Sequence, residues 1–355
     1  MEALPQEVDV LVVGAGQAGL GAAYRLTRAP ALRVLVLDRA DVGQSWVDRW
    51  DSLVLFTPRR FSRLPGLPFP AGPTRCPTRL EMAAYLRTYA ERLALPVRTG
   101  VEVQRLRTED GGFAAETPHG TVLAQQVVLA GGPFTRPHVP AAASGLSPQV
   151  RQLHSTEYTS PQDVAPGDVL VVGGGNSAAQ LAVELAATHR VTVAAPRPPW
   201  YLPTSLLGVD LYWWTSLTGV LTADRDSRVA RSVRRRGDAI VGHELRDLVR
   251  TGRVTVVPHR VVGADGEQVL LADGSPHRVS SVLWCTGSRP DTRWIDVPGA
   301  VDADGAPLHT GGASPVPGLH WMGLPWQARL DSSIVHGVDR DARALARRVR
   351  ARAAR

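Results

Sequence analysis

The sequence predicts an α/β protein built from one supersecondary unit used twice, with the second copy inserted in the first. Three observations carry that prediction. A β-branched run at residues 8–13 (VDVLVV) ends in Gly14-Ala15-Gly16-Gln17-Ala18-Gly19. The same order returns at Asp168, where VLVV runs into Gly173-Gly174-Gly175-Asn176-Ser177-Ala178. Each copy is followed, about a hundred residues on, by an apolar strand that runs into small residues and a proline, VVLAGGPFTRP at 127–137 and VLWCTGSRPD at 282–291.

Element by element, residues 20–27 form an amphipathic helix and 33–37 a second strand ending at Asp38. Strand, glycine turn, helix and strand, with an acid about 20 residues past the turn, complete the context of a dinucleotide-binding fingerprint. In the second copy a helix runs to Ala187 and a strand covers 191–195. Residues 57–78 are rich in proline and glycine and form an ordered loop, a length that in compact domains usually serves function. Residues 81–93 then read as a helix, 97–103 as a strand and 333–350 as a last helix. The motif order places one domain at residues 1–162 plus 285–355 and the other at 163–284, with crossings near 158–166 and 285–290.

Composition narrows the class. The 355 residues carry a net charge of +7 and are 44% hydrophobic, which permits two ordinary domains. No run reaches the roughly 18 apolar residues of a bilayer span, and residues 1–10 carry acids and a proline instead of a leader. The expectation is a cytoplasmic protein with no membrane partner. Cys76 and Cys285 form no C-x-x-C pair, so neither a disulfide framework nor a redox dithiol is indicated. All positive charge is arginine, for the chain holds no lysine. Clusters at Arg231, Arg234, Arg235 and Arg236 and at 347–355 could steer anionic cofactors or touch nucleic acid. Solvated helix faces, and no nucleic-acid partner, are expected of them. The single asparagine, Asn176, falls inside the second loop, by local need or by chance at a helix start.

The loops carry the chemistry. Gly14 allows the tight turn, Gly16 lets backbone approach a pyrophosphate at a helix N-terminus, and Gly19 lets helix pack on strand. Asp38 would accept hydrogen bonds from a ribose diol. In the second loop Ala178 takes the place of Gly19, and the following strand ends in Ala194-Ala195 with no acid to repel a 2′-phosphate. Arg197 is placed to pair with that phosphate, so NADPH is expected over NADH. Two dinucleotide units imply one cofactor that stores electrons and one that delivers them.

These residues resemble the flavin-containing monooxygenases, especially the bacterial and plant branch related to indole-pyruvate monooxygenases. The likeness covers nearly the whole chain: the two loops, GQSWVDRWDSLVLFTP at 43–58, LPGLPFP at 64–70, CPTR at 76–79, both exits, and GLPW at 323–326. It implies FAD held by Gly14, Gly16, Gln17, Ala18, Gly19, Asp38, Arg39, Gln44, Ser45, Trp46, Thr57, Val103, Ala130, Gly131 and Gly323. It implies NADPH held by Gly173, Gly175, Asn176, Ser177, Ala178, Arg197, Thr286 and Gly287. Such enzymes reduce FAD with NADPH and add dioxygen to the flavin as a C4a-hydroperoxide. That species oxygenates a small organic molecule by N- or S-oxygenation or by oxidative decarboxylation of a 2-oxo acid. The flavin is the reagent, so no catalytic residue is named, and no metal site is expected.

The chain departs from the family pattern. Of the stretch F-x-G-x-x-x-H-x-x-x-(F/Y) only His154 and Tyr158 remain, with Pro148 and Val150 at the aromatic and glycine positions, and His154 is expected to be structural. Tyr158-Thr159 argues against ketone insertion, and Phe56 stands where animal members place an asparagine. Trp46, Trp50 and Trp326 either pack in the core or stack near the flavin. Trp200, Tyr201, Trp213 and Trp214 lie in an apolar insert that could line a substrate entrance or make a subunit contact, which permits a homodimer. The alternatives are a reductase passing electrons to a quinone or protein acceptor, and a flavin-binding regulator without turnover.

Overall fold

The computed structural model describes residues 4–237 and 239–354; Met1 and Arg355 lie outside them. Two sheets organise the chain. In the first, the strand Glu7–Val13 lies between Val34–Leu37 and Gly120–Leu129, parallel to both. The sheet extends through Gly112–Thr117 and Arg105–Glu109 on one side and Val97–Arg98 on the other, and Leu319–Trp321 joins it late in the chain. The second sheet is all parallel, in the order Val254–Val257, Arg190–Ala194, Asp168–Val172, Ser281–Trp284, Arg151–His154. Its two central strands, Asp168–Val172 and Ser281–Trp284, are buried nearly throughout, as a parallel sheet covered on both faces requires.

The first helix, Gln17–Leu26, starts earlier than its apolar pattern suggests, because Gly16 is extended and acts as N-cap directly behind the turn. The helix Arg79–Arg92 is opened by a capping box, in which Thr78 and Glu81 satisfy each other's backbone N–H groups. Between them, the loop 57–78 holds only a short 3-10 turn, Arg59–Phe61, and isolated bridges.

Three elements differ from expectation. The strand placed at 97–103 pairs only over Val97–Arg98, because Gly100, at φ +72°, turns the chain out of the ladder. Val101 and Val103 are buried all the same. The last helix runs Val338–Ala353 behind a 3-10 turn, Val335–Gly337, held by Gly337 packed on the carbonyl of Asp331. The first crossing between sheets lies upstream of 158–166. Arg136–Pro137 and Ser288–Arg289 form an antiparallel ribbon joining the two crossings, and Arg151–His154 is already an edge strand of the second sheet. A boundary at 162 therefore leaves one strand of the second sheet on the first unit's side.

The largest apolar core is shared by both units, from Val10, Leu20 and Tyr85 to Val169, Leu181 and Val193. Among the described residues no helix is long and apolar enough to cross a membrane.

Candidate active site

The first glycine loop is shaped by close approach on two sides. Gly14 has φ +109°, and a Cβ there would lie 2.5 Å from the carbonyl oxygen of Ala130; a Cβ on Gly19 would lie 1.8 Å from that of Gly14. Gly16 is different: nothing lies within 4 Å of an added Cβ, so its backbone faces open space at the start of a helix. Gly131 is equally open. Backbone N–H groups at such a helix start suit a pyrophosphate. Asp38 accepts hydrogen bonds from the backbone N–H groups of Ala15 (2.6 Å) and Ala40 (2.9 Å), which sets its carboxylate beside the loop. Gly323, at φ +87°, packs so closely on Ala18 that a Cβ would sit 2.6 Å from the alanine methyl. The closing segment is thereby set against the helix that Gln17 opens.

Other expected residues scatter more widely. Thr57 is buried, and its hydroxyl lies 3.3 Å from the Tyr212 hydroxyl of the second unit. Trp46 packs half-buried on the shared core, and Trp50 is buried in it. Arg39 pairs with Glu102 at 3.7 Å, and Gln44 donates to Asp48 at 2.7 Å, both at the surface. Ser45 is exposed, whereas Val103 is enclosed in the core of the first sheet.

The second loop repeats the logic. Gly173, at φ +144°, leaves only 2.3 Å between an added Cβ and the carbonyl oxygen of Cys285, while Gly175 faces open space. Ser177 is half-buried and Ala178 buried as the helix Asn176–Leu185 begins. Local need explains Asn176, whose amide donates to the carbonyl of Ala239 at 2.8 Å and accepts from the N–H of Val241 at 3.1 Å. That side chain fastens the loop to the segment following the arginine-rich helix Arg228–Arg236.

The helix matters because of Arg197. Its guanidinium donates to the carbonyl of Arg235 at 2.6 Å, and Arg197, Arg231, Arg234 and Arg235 line one pocket of about 380 Å³. Arg231, Arg234, Arg235 and Arg236 are all exposed, as expected of a solvated helix face, and three of them line one open surface depression with the residue expected to bind a 2′-phosphate. Sequence distance concealed the grouping. Its detectable signal was the crowding of arginine just upstream of the segment that Asn176 holds.

The apolar insert clasps the closing segment. Arg225 and Leu330 donate backbone N–H groups to the carbonyls of Ala328 (3.0 Å) and Ala223 (3.1 Å), and Arg234 lies over the Trp326 ring at 4.6 Å. Phe61, from the 57–78 loop, meets Tyr212, Trp213 and His336 with centroids 5.6, 5.4 and 5.4 Å away. Loop, insert and closing segment thus converge. Beneath them Asp331 is fully buried, accepting from His336 (3.1 Å) and Arg340 (3.1 Å), while Arg329 pairs with Asp341. Sequence pattern alone did not reveal Tyr212 or this network, for neither belongs to a recognisable motif. Trp200 donates its indole N–H to Gly237, and Trp213 keeps an exposed edge.

His154 is structural, as expected. It is buried, its Nδ1 lies 2.8 Å from the Thr156 hydroxyl, and its Nε2 lies 3.0 Å from the carbonyl of Gly287. Burial holds its pKa below the usual histidine range. Thr286 donates its hydroxyl to the carbonyl of His138, so Thr286 and Gly287 both secure the crossing ribbon. Tyr158 is buried and donates to Glu184 at 2.9 Å.

Two glycine loops of this build, each opening a helix behind a parallel strand, define an oxidoreductase of the two-dinucleotide class. Residues 11–215 match the pyridine nucleotide-disulphide oxidoreductase family, and the chain belongs to the flavin-containing monooxygenases of that fold. A flavin-containing monooxygenase from Stenotrophomonas maltophilia superposes with a TM-score of 0.83 at 30% identity, covering 98% of this chain and 100% of that one. A CzcO-like oxidoreductase from Geobacillus kaustophilus is 39% identical over 95% of this chain and 97% of its own length. The rice indole-3-pyruvate monooxygenase YUCCA1 is 34% identical over 49% of this chain and 44% of its own length.

Proposed function

We propose that this chain is a cytoplasmic NADPH- and O2-dependent flavin monooxygenase that oxygenates a small organic molecule, by N- or S-oxygenation or by oxidative decarboxylation of a 2-oxo acid. The first loop would hold FAD, with Gly16 toward the pyrophosphate and Asp38 toward the ribose, and the second loop would hold NADPH at Gly175. A flavin bound there would supply the oxygen chemistry. The protein's share is to hold the two cofactors and shield the reduced flavin. The observation that carries the reading is the four-arginine pocket beside the acid-free end of the second unit's strand, which suits the 2′-phosphate that NADPH has and NADH lacks.

A reductase is the second reading, and its dithiol form finds no support. Burial pushes the Cys76 thiol up and that of Cys285 to about 12, which makes both poor nucleophiles. The test is anaerobic reduction of the flavoprotein by NADPH, then rapid mixing with oxygenated buffer while absorbance is followed from about 350 to 500 nm. A long-lived band distinct from reduced and oxidised flavin is expected. Direct reoxidation without it would replace this reading with the reductase.

A further inference from the structure

A hairpin in the apolar insert breaks two local rules at one residue. Its strands, Ser205–Leu206 and Val209–Asp210, pair with Leu206 opposite Val209, so the turn is Leu207-Gly208 alone. Both turn residues have positive φ, +51° and +74°, the primed geometry for which Asn-Gly or Gly-Gly is the usual choice. A leucine is disfavoured in that backbone conformation, and this one is also 85% exposed. Packing inside the folded chain offsets neither penalty, which points to a partner outside it.

Leu207 is not alone. Leu206 and Val209 are exposed, and the helix Leu211–Leu217 that follows adds Trp213 and, at 81% exposed, Leu217. Four residues apart, these two share one face of the helix. The tip is braced: Asp210 caps the helix by accepting the N–H of Tyr212 at 2.9 Å, Leu211 donates its N–H to the carbonyl of Thr204 at 3.1 Å, and the Trp214 indole N–H donates to the carbonyl of Leu206 at 3.1 Å. On its inner side the same helix walls the candidate site, where the buried Tyr212 meets Thr57.

Charge selects the partner. Between Ser205 and Leu221 the one charged residue is Asp210, and Arg75 neutralises it. Arg60, itself exposed, lies over the Trp213 ring at 4.5 Å. The 57–78 loop carries four arginines and no acid, and residues 222–237 carry six arginines against two aspartates. An apolar tip flanked by cations fits an anionic bilayer interface: headgroups answer the arginines, tryptophan sits at headgroup level, and the leucines enter the acyl boundary. A second copy fits less well, since a two-fold contact would set the cationic flank of each patch against the other's. A lipid surface also needs no groove to receive a protruding tip and no spanning helix, which the described residues lack. We propose that the hairpin at 205–210 and the helix Leu211–Leu217 dock the protein on an anionic lipid surface. The expectation of no membrane partner then holds for spanning and fails for surface contact.

The test sediments the holoenzyme with phosphatidylcholine vesicles and with vesicles containing about one-third phosphatidylglycerol, at about 0.1 M salt. Wild type should partition onto the anionic vesicles at least about tenfold more strongly than onto the neutral ones. L207N/L217N should lose at least about tenfold of that binding, and R60Q about two- to fivefold. Leu207→Asn also supplies the turn pair that this geometry favours, so L207N should melt no lower than wild type, which separates lipid contact from folding. Flavin content and the rate of flavin reduction by NADPH should stay within about twofold in L207N/L217N. Wild type left in the supernatant with anionic vesicles overturns the proposal in favour of an acidic protein partner. Binding that survives L207N/L217N undiminished, or that is equal on both kinds of vesicle, overturns it as well. So does a dimer in light scattering that L207N/L217N splits, because the tip is then a subunit contact.

Discussion

The carboxylate of Asp38 accepts the backbone N–H of Ala15 at 2.6 Å, tying the end of the second strand to the middle of the first glycine loop. The acid expected to recognise a ribose therefore also fixes the loop that would take the pyrophosphate next to it. Asp38→Ala removes the charged acceptor that serves both. FAD affinity should fall about 10- to 100-fold, the equivalent of one or two charge-assisted hydrogen bonds. Flavin retained through gel filtration, and flavin fluorescence on dilution, measure it; undiminished retention would remove Asp38 from the site.

Gly16 and Gly19 separate ligand binding from folding. An added methyl at position 16 meets no protein atom within 4 Å, whereas at position 19 it lies 1.8 Å from the carbonyl oxygen of Gly14. Gly16→Ala should fold with a melting temperature near that of wild-type apoprotein but bind FAD poorly. Gly19→Ala should unfold more easily with or without flavin, because backbone must move to admit it. Thermal melts of both apoproteins, alongside flavin content, check the contrast.

In the second unit, Arg197→Ala or Arg231→Ala should lower the second-order rate of flavin reduction by NADPH about 10- to 100-fold and leave the NADH rate within about threefold. The asymmetry follows from the pocket Arg197 shares with Arg231, Arg234 and Arg235, which only a 2′-phosphate would use. Equal losses with both cofactors would place these arginines elsewhere in the reaction.

The glycine loops were legible in the sequence because their constraints are local: Gly14, Gly19 and Gly173 each answer a clash with a neighbouring backbone that any strand-turn-helix of this type creates. The capping box at Thr78 and Glu81 is local too, and the helix appeared where its pattern placed it. The pairing of residues 136–137 with 288–289 was not legible, because a ribbon two residues wide carries no periodic pattern. Nor was the grouping of Arg197 with a helix more than thirty residues downstream, which depends on how the insert folds back. The strand at 97–103 failed through one residue, Gly100, whose left-handed conformation ends pairing while Val101 and Val103 stay buried. Burial alternation alone could not reveal that turn.

The closing segment depends on a buried charge. Asp331 holds His336 and Arg340 at 3.1 Å each and lies 3.5 Å from Arg329, with no exposure to solvent. Asp331→Ala would leave His336 and Arg340 without their anion, and the loss should be about 3–5 kcal/mol of stability. Asp339→Ala, which breaks the partly exposed pair with Arg25, should cost no more than about 1 kcal/mol. Urea unfolding of the two variants ranks them; similar midpoints would mean that the Asp331 network is not a structural fastening.

Acid sensitivity should trace in part to His320. It is buried on the strand Leu319–Trp321, its Nε2 lies 3.4 Å from the Gln126 carboxamide oxygen, and its Nδ1 has no partner among the described residues. Burial first, and then Arg348 and Arg352, push its pKa from 6.5 down to about 4. Because the folded value lies below the unfolded one, the unfolded chain takes up a proton first as pH falls. Stability present above about 6.5 is then lost progressively down to about 4, where the folded protein also protonates. A shift of this size corresponds to about 3 kcal/mol across the window. His320→Gln keeps a polar contact to Gln126 but no titration. Between pH 7 and pH 4.5 wild type should therefore lose about 2–3 kcal/mol more unfolding free energy than the variant. Parallel losses in the two proteins would assign the acid sensitivity to other groups, the buried His154 foremost, since its pKa is also held down by burial.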